Sequence, residues 1–173
     1  MLSDTERRVL DHLDEDALVE RLATLVRVPS VSGTPEEVAV VDVAASMMSD
    51  AGLTLDHWQI DLEELAADPW YPGAEVEREA AYGLVGTTGS GTPALVLQGH
   101  LDVVPPGDPD AWGMTHPFSA EIREGRLFGR GACDMKAGVA ANLAVVETLR
   151  AAGVRLERPL ALHAVVAEED GGL

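Results

Sequence analysis

The chain has a single cysteine, Cys133, among its 173 residues. No internal disulfide can form, which suits a reducing compartment. Long apolar runs are missing as well: no segment approaches the roughly 20 apolar residues that cross a bilayer. The opening Met1-Leu2-Ser3-Asp4-Thr5-Glu6 has neither the basic start nor the apolar stretch of a secretory leader, so the expected location is cytoplasmic. Bases are scarce, 12 Lys and Arg against 30 Asp and Glu, and the formal net charge of −18 repels phosphate backbones and anionic lipid. Neither nucleic acid nor a membrane is an expected partner. No internal repeat or low-complexity tract is present. What remains is a chain that is 46% apolar, long enough for one domain with a real core and short for two.

Apolar periodicity alternates between helix and strand. Leu18, Leu22, Leu25 and Val26 recur at helical spacing from Asp16 to Val28, and Pro29 ends the pattern. Thr34-Pro35-Glu36-Glu37 predicts an N-cap, a first-turn proline and two acids near the dipole of a second helix running to about Gly52. Leu53 to Ile60 reads as a strand, and Leu62 to Gly73 as a loop. Tyr82 to Val85 and Ala94 to Gln98 are expected to pair across a polar turn, Thr87 to Pro93. Ala120-Glu121-Ile122 and Arg126-Leu127-Phe128 flank Glu124-Gly125 as a short hairpin. An alanine-rich helix is expected from Met135 to Ala152, and the nearly all-apolar Leu160 to Val166 reads as a buried strand.

Three strand or loop ends carry the chemistry. Gly99-His100-Leu101-Asp102 follows the apolar Ala94-Leu95-Val96-Leu97, which places His100 and Asp102 where a strand gives way to a loop. Residues two apart on extended backbone share a side, so the Asp102 carboxylate can accept from one imidazole nitrogen while the other faces outward as a metal ligand; the alternative is a satisfied loop pair. Asp134, between a glycine-rich turn and the alanine-rich helix, is either a helix N-cap or a carboxylate able to bridge two divalent ions. Glu168 and Glu169 are either a solvated acidic turn or a divided pair, one holding metal and the other taking a proton from the attacking water. Cys133 is either a small packed residue or a thiol nucleophile working with His100 and Asp102. Trp58, Trp70 and Tyr71 are expected to pack, with Tyr71 or Trp70 lining a substrate cleft as the alternative, and His57, His116, His12 and His163 to lie on sheet faces, in loops or in solvent.

The order and spacing of these segments resemble a metallopeptidase family that includes acetylornithine deacetylase, succinyl-diaminopimelate desuccinylase, aminoacylase and a folate-cleaving glutamate carboxypeptidase. The resemblance rests on Gly99-His100-Leu101-Asp102-Val103-Val104-Pro105, Trp112 with Pro117-Phe118, Gly125-Arg126-Leu127-Phe128-Gly129-Arg130-Gly131 running into Asp134-Met135-Lys136, and Glu168-Glu169 before Gly171-Gly172. It covers about the last half of the chain. It implies a zinc-dependent exopeptidase-like catalytic domain of α/β class, three-layered, with a mixed, mostly parallel sheet flanked by helices. It also implies two divalent ions, zinc or else cobalt or manganese. His100 and Glu169 would be ligands, Asp134 the bridge, Asp102 the orienter of His100, and Glu168 the general base and then acid. A cis peptide after Asp134 belongs to the same pattern, as does a convergence of the ligands to within about 4 to 7 Å at one sheet edge.

The implied reaction is hydrolysis of an amide bond in a small N-acyl amino acid or peptide. The family's site needs one further carboxylate and one further histidine, and its lid and dimerisation domain supports a homodimer in the full-length protein; all of these would lie beyond Leu173. Residues 1–173 are therefore expected to be the N-terminal part of a catalytic domain, inactive alone. The competing readings are a non-catalytic relative serving in assembly, which would have lost the base or a ligand, and a cysteine-dependent hydrolase.

Overall fold

The computed structural model describes residues 1–113 and 115–173. Among the described residues five α-helices are present: α1 (Asp4–Leu10), α2 (Glu15–Arg27), α3 (Pro35–Asp50), α4 (Leu62–Ala67) and α5 (Ala137–Ala151). The strands are β1 (Thr54–Gln59), β2 (Tyr82–Thr87), β3 (Leu95–His100), β4 (Glu121–Arg123), β5 (Arg126–Phe128) and β6 (Leu160–Val165). The main sheet has the order β1-β2-β6-β3, and β4 and β5 form the expected hairpin.

The sheet is mixed and flanked by helices, as the sequence predicts, although its parallel share is smaller than expected. β1/β2 and β2/β6 are antiparallel, and only β6/β3 is parallel. The predicted pairing of β2 with β3 is replaced by insertion of β6 between them. Thr88 N donates to Leu160 O and Ala94 N to Pro159 O, so both ends of the 87–93 turn are tied to the start of β6. Turn chemistry alone reads the same whether two strands touch or leave room for a third.

The apolar faces of α3 and α5 meet one face of this sheet, and α2 packs against those two helices. Leu25, Val40, Val41, Ala44, Met48, Val139, Leu143 and Val146 pack with Leu84, Leu162 and Ala164 in one buried cluster. Gly99 allows α5 close to β3: a Cβ there would stand 2.8 Å from a Val139 methyl. Alternation puts Trp58, Val96 and His163 on the other face, where Trp58 and Val96 remain exposed. Of the expected three layers, the described residues supply the sheet and one helical layer.

Besides Trp58, which is expected to pack and is exposed, three local expectations fail. α3 begins after Thr34, but the Thr34 hydroxyl donates to Val31 O instead of capping the helix. The 62–73 stretch is not all loop, because Asp61 accepts from Glu63 N and Glu64 N and so nucleates α4. Trp70 does not pack; it is almost fully exposed. Among the described residues, no helix is long and apolar enough to cross a membrane.

Candidate metal centre

His100 closes β3, where the parallel pairing with β6 ends at His100–Val165. Its ring is buried, and Nδ1 lies 3.0 Å from the backbone carbonyl oxygen of Asp102. With Nδ1–H donated there, Nε2 is the lone-pair nitrogen, and it faces Asp134 Oδ1 at 3.2 Å and Glu168 Oε2 at 3.6 Å. The expected carboxylate–imidazole bond is thus made by the carbonyl of Asp102 instead; the Asp102 carboxylate stands 3.6 Å from Nδ1.

That carboxylate, fully buried, has other partners. Its Oδ1 accepts from Glu168 N at 3.2 Å, and its Oδ2 accepts from Glu169 N and from the Ser32 hydroxyl, both at 3.1 Å. Asp102 therefore ties the β3 end to the turn carrying the two glutamates. Ser32 reaches it because residues 30–32 run beside 101–103: Val103 N donates to Ser30 O, and Ser32 N to Val103 O.

Asp134 sits in the wide turn Ala132–Lys136 with extended backbone (φ −121°, ψ 100°), so it is not a helix cap, and the Asp134–Met135 peptide is cis. The turn enters through Gly131 at φ +76°, where a Cβ would collide with Val103. Lys136, the chain's only lysine, ends the turn fully buried. Its Nζ donates at 2.9 Å each to Leu25 O, in the last turn of α2, and to Val28 O just past it, carbonyls that also accept from Val28 N and Ser30 N. Burial pushes its pKa down to about 8 against the pull of Asp102.

One ligand atom from each of His100, Asp134 and Glu169 lies within 4.8 Å of the others, the convergence predicted from sequence. Burial pushes the Glu169 carboxyl above its ordinary value; His100 opposes this, and Asp134, Asp102 and Glu168 add to it. Glu168 is more exposed and lies beside the three. Among the described residues no lysine or arginine pairs with Asp134, Glu168 or Glu169, since Lys136 points away into α2. An imidazole and a cluster of uncompensated carboxylates fit a divalent cation with mixed nitrogen and oxygen ligands. Cys133 is exposed, not packed, and its thiol has no hydrogen bond to His100 or Asp102 among the described residues.

Fold and donor set together define an α/β domain built around a candidate divalent-metal centre. Residues 96–173 match the profile of peptidase family M20/M25/M40. The succinyl-diaminopimelate desuccinylase of Methylorubrum extorquens is 42% identical over 121 residues, which are 69% of this chain and 27% of that protein. Among solved structures, the di-peptidase Dug1p of Saccharomyces cerevisiae superposes with a TM-score of 0.73 at 22% identity, covering 94% of this chain and 35% of that one. An M20 family metallo-carboxypeptidase of Sulfolobus solfataricus gives 0.69 at 20% identity, covering 90% and 31%. The chain belongs to the M20/M25/M40 peptidase family, and it spans about a quarter to a third of the length of the relatives it matches.

Proposed function

We propose that the protein carrying this chain is a metal-dependent amidohydrolase that splits an N-acyl amino acid or small peptide into a carboxylate and an amine. Residues 1–173 form the N-terminal part of its catalytic domain in this reading, and the remaining ligands and a lid or dimerisation domain lie outside them. Its setting is the cytoplasm, in keeping with one exposed, unpaired thiol. The observation that carries the proposal is the meeting of His100, Asp134 and Glu169, each from a different segment, beside Glu168.

His100 and Glu169 would each hold one of two divalent ions, zinc in the first instance, and Asp134 would bridge them. Such ions supply Lewis acidity, polarising a carbonyl and lowering the pKa of water. Glu168 does the proton work: its carboxylate is more exposed than Glu169 and adjoins His100 Nε2, so it can accept a proton from the attacking water and return it to the leaving nitrogen. Asp102 holds both glutamates through their backbone N–H groups, which keeps base and ligand in fixed relation.

Chelation followed by readdition tests the reading. The full-length protein, stripped of metal, is expected to lose hydrolysis of N-acyl amino acids and dipeptides and to regain it with about two equivalents of zinc. Hydrolysis that survives complete metal removal would overturn it.

A further inference from the structure

The turn that carries Glu168 and Glu169 is held from its far side by a buried ion cluster. Arg78, in the irregular segment before β2, has its side chain 4% exposed, and the carboxylates of Glu37 on α3 and Asp170 are each 3% exposed. Arg78 Nε donates to Glu37 Oε2 at 3.1 Å, Nη2 to Glu37 Oε1 at 3.3 Å, and Nη1 to Asp170 Oδ2 at 2.7 Å. The guanidinium fork thus spans two acids from distant parts of the chain.

Each acid also grips backbone. Glu37 Oε1 accepts from Ala167 N at 3.1 Å and its Oε2 from Gly33 N at 2.9 Å. Asp170 Oδ1 accepts from Glu75 N at 2.6 Å and Val76 N at 3.1 Å. Ala167, buried, takes a left-handed conformation (φ +61°) that a residue with a Cβ adopts only where its surroundings enforce it. Glu37 and Asp102 together fix the amides of residues 167, 168 and 169. Without the guanidinium, Glu37 and Asp170 would be two buried, uncompensated negative charges. The least costly relief is movement of the turn.

We propose that Arg78 is a positioning residue: clamped between Glu37 and Asp170, it sets the 167–170 turn so that Glu168 stands beside His100 and Glu169 reaches the ligand cluster. Its catalytic consequence rests on the hydrolase reading above; its hold on the turn does not. The cluster joins α3, the 75–78 segment and the turn after β6, so the site's geometry depends on a loop some 90 residues away in sequence.

The test compares wild type with Arg78→Lys, which keeps the charge and loses the fork, in the full-length protein. Three readouts are taken: amide hydrogen exchange of residues 167–171, the visible absorption of the cobalt(II)-substituted protein, and kcat and KM on N-acyl amino acids. The expected result is a folded variant with at least tenfold faster exchange in that turn, an altered cobalt spectrum, and kcat lowered at least tenfold with KM within twofold. Glu37→Gln, which preserves shape and leaves Arg78 with Asp170, is the milder second variant should Arg78→Lys not fold, and is expected to shift all three in the same direction by about two- to fivefold where a rate is read. Unchanged exchange in the turn overturns the proposal, as does faster exchange with cobalt spectrum and kcat both unchanged. A wild-type protein that neither binds cobalt nor hydrolyses these substrates refutes the hydrolase reading alone; faster exchange in the variant then still supports the hold on the turn.

Discussion

Replacing Asp102 by Asn separates two jobs that a His-x-Asp pair can do. If the carboxylate oriented the imidazole, the loss would fall on His100. Here the Asp102 backbone carbonyl holds Nδ1, and any residue at position 102 supplies that carbonyl. The carboxylate instead accepts from Glu168 N, Glu169 N and the Ser32 hydroxyl, at 3.1 to 3.2 Å and fully out of solvent. An asparagine amide keeps one accepting oxygen and turns an NH2 group toward one of the two backbone donors. One charge-assisted bond is lost, about 1.5–3 kcal/mol, and a buried N–H is left facing a donor, about 1–3 kcal/mol more. Together these predict a destabilisation of about 2.5–6 kcal/mol, a large part of a typical domain's 5–15 kcal/mol. Displacement of Glu168 by even about 1 Å should lower kcat on the order of a hundredfold. Urea unfolding and steady-state kinetics on the full-length Asp102→Asn protein measure both. A variant as stable as wild type, with unchanged kcat, would refute the account of the turn.

Lys136 predicts a pH effect on stability. Its folded pKa, about 8, lies below the ordinary 10.5, so between those values the unfolded chain binds the extra proton and stability rises with pH, by up to about 3 kcal/mol across 2.5 units. Below pH 8 both states are protonated and the slope vanishes; Lys136→Met is expected to lack the rise, as read by urea unfolding of the metal-free protein from pH 7.5 to 10.5. Asp134→Ala is expected to reduce bound zinc to less than half of the wild-type content, as read by elemental analysis, because it removes the carboxylate facing His100 Nε2.

The residues that converge were legible because each stands at the end of an apolar strand or in a glycine-rich turn, where short-range pattern and position coincide. For His100, Asp134, Glu168 and Glu169 local position offered a metal reading beside a bland one, and the resemblance carried by the order of the segments chose between them. Their supports were not legible in that way. Ser32 and Arg78 lie in segments with no period, and what they bind is 70 and 92 residues away. Lys136 sits within the motif, yet its role is visible only once α2 is docked. The split of β2 from β3 was hidden for the same reason: a strand that arrives more than 60 residues later decides the pairing. Helix α4 followed from a single capping aspartate in a stretch otherwise rich in turn residues.

The division of labour between the adjacent glutamates is the claim on which the functional account depends. Glu168→Gln removes the basic carboxylate while leaving the backbone N–H that Asp102 accepts. Zinc content and kcat, measured on one preparation of the full-length variant, should separate: metal within about 20% of wild type, and kcat lower by at least about a hundredfold, the scale of a lost general base. Loss of the metal with the base, or retention of near-normal kcat, would contradict it.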